Sequence, residues 1–237
     1  MSTVQLSNQT YSILENFSTI NSSIVFKKGN TIKTIANAEN VLAEYEGEEY
    51  WPRDFAIYDL SQFLSAIRTL KSQTGELPIL EFLNEDYVVI RSKGASVRYY
   101  YSDPEITLKV APDKTVNFPG ANIEFDFPQE QLKKVLDLSN TLTLRDLTFA
   151  SKDEKPFIRL SDRENDTSNK CKFDLSNAEC TGDYNLHMKM DNLLVYTKGA
   201  DYRVRVSDQM LSEWTVTRIF GNNEDVQLKY FVALEPK

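Results

Sequence analysis

Phe55-Ala56-Ile57-Tyr58-Asp59-Leu60-Ser61-Gln62-Phe63-Leu64 passes from strand chemistry into helix chemistry within one short stretch. Residues 53–58 alternate as a half-buried strand does. Asp59, with Gln62 three positions on, then supplies a capping-box-like start, because a side-chain oxygen there can accept an amide N–H that a helix leaves unpaired. Leu60, Phe63, Leu64 and Ile67 recur at helical spacing and predict a helix to about residue 70. Its other face is Ser61, Gln62, Ser65 and Thr69, polar but uncharged, with Arg68 at the edge. A weaker echo, Tyr184-Asn185-Leu186-His187-Met188-Lys189-Met190-Asp191-Asn192-Leu193-Leu194, follows about 130 residues later. The chain reads as one plan used twice.

Working outward, residues 6–21 predict an amphipathic helix with Ser7 as its N-cap and Ile13, Leu14, Phe17 and Ile20 on its apolar face. Residues 24–36 alternate around Lys28-Gly29-Asn30, a hairpin signal, and residues 41–46 continue as a strand. Three apolar runs between 77 and 101 give a strand meander. Residues 103–121 carry Pro104, Pro112, Pro119 and Gly120 without a sustained period, so they form a connector. Beyond it the order repeats. Strand 124–127 leads into a helix opened by Pro128 and buried on Leu132, Val135 and Leu136. Strands are expected at 142–150, 155–160, 170–175 and 184–188, then a short helix near 191–198 ended by Gly199, then strands at 202–206, 214–220 and 228–234. Helices segregated to one face of antiparallel sheet make an α+β arrangement.

The chain has 237 residues, 41% hydrophobic and 26% charged, and at roughly 150 residues per domain that suits two modest domains. The boundaries are read as 1–110 and 111–237, with the connector at about 103–122. No basic opening segment precedes an apolar run, and nowhere do 18 apolar residues stand together, so a cytoplasmic protein with no membrane partner is expected. Cys171 and Cys180 are read as free thiols, and with the lone His187 they do not make a metal site. A net charge of −8 opposes binding to phosphates. If DNA is the partner, something other than attraction holds it.

Enzyme chemistry finds no support. No glycine loop matches a phosphate cradle. His187, at an alternating strand position, reads as a packed or surface strand residue rather than a catalytic base. The acid pairs Glu48–Glu49 and Asp153–Glu154 read as solvated loop charge.

Ordered blocks across the whole chain resemble the sliding clamps of large tailed bacteriophages. They are Leu14, Asn16, Phe17, Thr19, Ile20, Asn21 and Ser22; residues 55–64; Asp103, Pro104, Val110, Ala111 and Pro112; Phe118 and Pro119; Gly182, Asp183 and Tyr184; and residues 231–235. The resemblance implies a DNA-clamp fold of two similar domains, each with antiparallel sheet outside and two helices on the inner face. It implies a homotrimer closed head to tail as a ring around duplex DNA, with no cofactor, in the cytoplasm of an infected bacterial host cell. Implied partners are the C-terminal tail of the replicative DNA polymerase, an ATP-dependent clamp loader and a late-transcription factor. The DNA-facing set would be Arg68, Lys71, Lys133, Lys134, Lys189 and Lys198 beside three of the four candidate helices, with Ser61, Ser65 and Thr69 on the neutral wall. The partner-binding set would be Val110, Pro112, Phe118, Phe231, Val232 and Leu234, in an apolar pocket between the domains. The alternative is a trimeric phage structural or adhesion protein, which is also sheet-rich and acidic.

Overall fold

The computed structural model describes residues 2–72, 75–103, 109–165, 167–175, 177–220 and 226–236. Pro104, in the expected connector, lies outside these. The chain divides into two compact units, Met1–Asp113 and Lys114–Lys237.

In the first unit the elements are β1 (Ser2–Gln5), α1 (Asn8–Ile20), β2 (Ile24–Phe26), β3 (Gly29–Ile35), β4 (Val41–Trp51), β5 (Phe55–Ile57), α2 (Leu60–Thr69), β6 (Ile79–Phe82), β7 (Tyr87–Ser92) and β8 (Ala95–Tyr100). The expected meander is present as the antiparallel run β6-β7-β8, and β1 adds an edge beside β6 that the sequence did not announce. The predicted hairpin at Lys28-Gly29-Asn30 is corrected: β2 pairs antiparallel with β5, and β3 pairs with β4. Aromatic packing accounts for this. Phe26 stacks on Phe55 with ring centroids 4.5 Å apart, and Trp51 closes on both rings.

The second unit contains β9 (Ile123–Phe127), α3 (Gln129–Leu142), β10 (Asp146–Lys152), β11 (Lys155–Ser161), β12 (Cys171–Asp174), β13 (Glu179–Cys180), β14 (Asn185–Lys189), β15 (Ala200–Ser207), β16 (Leu211–Ile219) and β17 (Gln227–Ala233). Its strands run in the orders β12-β11-β10-β14 and β13-β9-β15-β16-β17, all antiparallel. An aromatic cluster of Phe125, Phe127, Phe149, Tyr202 and Trp214 fills this core, as the one around Trp51 fills the first.

Two sequence boundaries move. Leu142 ends α3 rather than opening a strand, which begins at Asp146. The helix expected near 191–198 is only a 3-10 turn, Met190–Asn192, with no side-chain cap; the chain leaves it at Leu193 (φ −81, ψ 65). The Leu193 N–H still reaches the Met190 carbonyl at 3.0 Å, and Leu193, Val195 and Tyr196 are buried as the chain leaves the turn.

Burial drives the helices. Each enclosed side chain of the Leu60, Phe63, Leu64 and Ile67 face stabilises by roughly 1.5–3 kcal/mol, far beyond what intrinsic propensity gives a helix this short. At the end of α3, Thr143 sits in the left-handed region (φ 52, ψ 45), which is unfavourable for a β-branched residue and ordinary for glycine. Thr143→Gly should therefore raise unfolding stability by about 1 kcal/mol in urea titration. A loss of stability would show that the Thr143 side chain makes a stabilising contact.

Candidate nucleic-acid interface

The helices offer outward faces because their inward faces are fixed at several points. Ser7 Oγ accepts the Thr10 N–H at 3.0 Å, the N-cap the sequence predicts. Glu49 of β4 completes that helix start: its carboxylate accepts the Ser7 N–H and, at 2.6 Å, the Thr10 hydroxyl, which also meets Tyr45 Oη at 2.9 Å. Glu49 is therefore not solvated loop charge; it is 9% exposed. Gly47 permits this closeness, since a Cβ there would lie 3.0 Å from the Tyr45 ring and 3.1 Å from the Glu49 carboxylate.

Asp59 Oδ1 accepts the Gln62 N–H at 2.8 Å to start α2. Tyr11 of α1 donates to the Leu64 carbonyl of α2 at 3.1 Å, which ties the two helices. Burial, then Glu15, push the Tyr11 phenol above its ordinary pKa while Arg68 opposes them. A cation and an acid thus flank the same seam.

The outward residues of α2 are Ser61, Gln62, Ser65, Arg68 and Thr69, all exposed. Three hydroxyls of α1 and α2 donate back to their own helix. Thr69 donates to the Ser65 carbonyl at 2.8 Å, Thr19 to Asn16 at 2.7 Å and Ser18 to Glu15 at 2.8 Å, the local back-bonding open to Ser and Thr in helices. A hydroxyl so engaged presents lone pairs outward, and lone pairs do not bind phosphate. A phosphate approaching such a hydroxyl would be met through water.

In α3, Lys133 and Lys134 are exposed between Glu130 and Asp137, which are exposed too. The charged residues of the three helices are Glu15, Glu130 and Asp137 against Arg68, Lys133 and Lys134. The helices balance while the chain carries −8. Lys71, just past α2, and Lys198, after the 3-10 turn, are also exposed.

Lys189 differs from the others. Its ammonium lies 2.8 Å from Asp146 Oδ1, and Asp146, only 1% exposed, also accepts the Arg163 N–H at 2.8 Å. Burial would raise the Asp146 pKa, but the Arg163 N–H and Lys189 outweigh it and hold the carboxyl below its ordinary range. Lys189 is raised in turn, chiefly by its hydrogen bond to Asp146. This lysine neutralises a buried acid instead of standing free for phosphate.

The partner-binding candidates separate by environment. Val110 is 39% exposed, and in the first unit it lines a groove of about 110 Å³ with Val25, Lys27, Thr31, Lys33, Ala111 and Asp113. Pro112 is exposed beside it. Phe118 is half-buried in the second unit, with the Arg205 guanidinium 4.6 Å from its ring centroid. Phe231, Val232 and Leu234 are 5%, 0% and 6% exposed. Those three side chains hold the sheet around β17, and Val232 has no surface to offer a partner.

Residues 7–99 match the family described as DNA polymerase processivity factor. Over 237 residues the chain is 30% identical to the sliding clamp of Vibrio phage KVP40, covering 98% of this chain and 99% of that one. The sliding clamp of Escherichia phage RB69 is 27% identical, with 98% and 97% covered. Among solved structures, A. fulgidus PCNA bound to the C-terminal region of FEN-1 superposes with a TM-score of 0.74 at 13% identity, covering 100% of this chain and 99% of that one.

The Asp146–Lys189 pair gives a pH test. Asp146 contributes stability fully above its ordinary value of 3.8 and loses it as the pH falls through the lower folded value. Lys189 contributes fully below 10.5 and loses it as the pH rises through the raised folded value. Lys189→Met should cost about 2 kcal/mol at pH 7, less than a fully enclosed pair because Lys189 reaches solvent. In urea titrations that loss should shrink as the pH falls below 3.8, the ordinary carboxyl value, toward the lower folded value of Asp146. An equal loss at pH 7 and pH 3 would contradict it.

Proposed function

The chain belongs to the sliding-clamp family of DNA polymerase processivity factors, and from that premise we propose that three copies close head to tail into a ring, with α1, α2 and α3 facing the duplex. A sliding clamp catalyses nothing; it binds DNA and keeps a polymerase on its template. Membership in the family displaces the structural-protein alternative. The two compact units are taken as the two clamp domains, near the boundaries 1–110 and 111–237.

The observation that carries the reading is the neutral outward face of helices whose inward faces are locked. A ring around duplex DNA cannot leave sideways, so it needs little phosphate affinity, and strong affinity would slow its sliding. Arg68, Lys71, Lys133, Lys134 and Lys198 then supply weak local attraction, while Ser61, Ser65 and Thr69 form wall.

Closure needs two different surfaces on each copy. Terminal strand β8 is exposed at all but one position, and terminal strand β12 has no exposed-side neighbour among the described residues. Pairing of β8 on one copy with β12 on the next would satisfy the backbone groups both edges leave open. The polymerase tail is assigned to the groove at Val110, where Val25, Val110 and Ala111 suit an apolar side chain, while Lys27 and Lys33 are already paired with Asp54 and Glu44. An ATP-dependent loader would open the ring onto primed DNA in the cytoplasm of the infected cell. A late-transcription factor would use the same loaded clamp.

Loaded onto nicked circular DNA, the protein should be retained, and it should be lost when the circle is linearised. Sedimentation should give three times the chain mass. Equal retention on circles and open linear DNA would contradict a ring.

A further inference from the structure

We propose that Asn21 is a positioning residue that sets the groove at Val110 by pinning the connector to the end of α1; this rests on the assignment of the polymerase tail to that groove. Asn21 leaves the helix with extended backbone (φ −144, ψ 132) while its N–H still bonds the Phe17 carbonyl. Its side chain is 4% exposed. Oδ1 accepts the Ser23 N–H at 3.0 Å and the Ser23 hydroxyl at 3.1 Å. Nδ2 donates to the Ile35 carbonyl at 2.9 Å and to the Lys109 carbonyl at 3.3 Å. Carbonyls only accept, so the amide has one orientation, and all four of its hydrogen-bonding positions are used.

One buried amide thus joins the end of α1, the end of β3 and the connector at Lys109. A second pin lies at the other end of the span. Lys33 Nζ donates to the Asp113 carbonyl at 3.2 Å while it pairs with Glu44 at 2.9 Å. Lys109 also pairs with Glu39. Between the pins, Val110 and Ala111 form one wall of the groove, and Val110, at 39% exposed, is not anchored by its own burial. Polar pins therefore set the position of an apolar wall. A wall already in place spares a docking peptide the cost of ordering it. Asn21 touches no ligand and acts through residues 109–111.

Asn21→Asp is the informative variant, because it keeps the acceptor for Ser23 and removes both Nδ2 donors. The full-length protein would be titrated with a fluorescent peptide of the polymerase's C-terminal tail, and amide exchange followed at residues 109–111 and 113. Asn21→Asp should weaken the peptide about tenfold and speed exchange at those amides, with ring size unchanged. Ser23→Ala, which leaves the connector bonds intact, should change neither. Lys33→Met, which removes the pin at Asp113, should reproduce the weakening and covers the case in which Asn21→Asp fails to fold. Unchanged peptide affinity and exchange in Asn21→Asp, or in Lys33→Met if that is the variant available, would overturn the proposal. Val110→Glu separates the two ideas: if it leaves peptide binding intact while Asn21→Asp still speeds exchange at 109–111 and 113, the groove assignment fails and the pinning stands.

Discussion

Burial of one face of each helix is the constraint on which the remaining features depend. Ile13, Leu14, Phe17 and Ile20 of α1, with Leu60, Phe63, Leu64 and Ile67 of α2, are enclosed, and a helix cannot bury one face without committing the other to solvent. Ser7, Glu49 and Asp59 then fix where those helices begin, so rotation about the axis is excluded as well. The outward residues follow without further freedom. That they are Ser, Thr, Asn and Gln, with charges in balance, is a property of the sequence acting through that burial.

The acid surplus becomes consistent with a DNA partner on this basis. Affinity for duplex normally grows with the number of phosphates neutralised, and a chain of net charge −8 is poorly placed to compete that way. The helices are less acidic than the rest of the chain, and several of their hydroxyl protons are already spent on helix carbonyls. As the wall of the proposed ring, such a face would neither repel the duplex strongly nor hold it in register. In the proposed ring, closure around the duplex would supply the retention that contacts do not.

How much of this could be read in the sequence depended on the range of the interactions. Ser7 and Asp59 were legible as caps because capping acts within three residues, and α1 and α2 were legible because their apolar faces repeat at helical spacing. The pairing of β2 with β5 was not legible, since it rests on Phe26 meeting Phe55 and Trp51 across the chain. Residues 193–196 failed for another reason: a short run of buried apolar residues has the same composition in a helix and in extended chain. Among site residues, Lys189 looked like any exposed lysine because Asp146, its buried partner, lies on a neighbouring strand. Glu49 carried no local signal, as its partners lie across the fold, and Asn21 has only Ser23 nearby in sequence while its Nδ2 partners, the Ile35 and Lys109 carbonyls, are distant.

Sliding without gripping is tested most directly by the one-dimensional diffusion of single loaded clamps on DNA as salt is varied. Between 50 and 200 mM salt the diffusion coefficient should change by less than about twofold, where a protein making six to ten phosphate contacts would lose roughly 10³–10⁵ in affinity. Diffusion that accelerates steeply with salt would mean that the helix faces bind phosphate directly, and the topological account of retention would be contradicted.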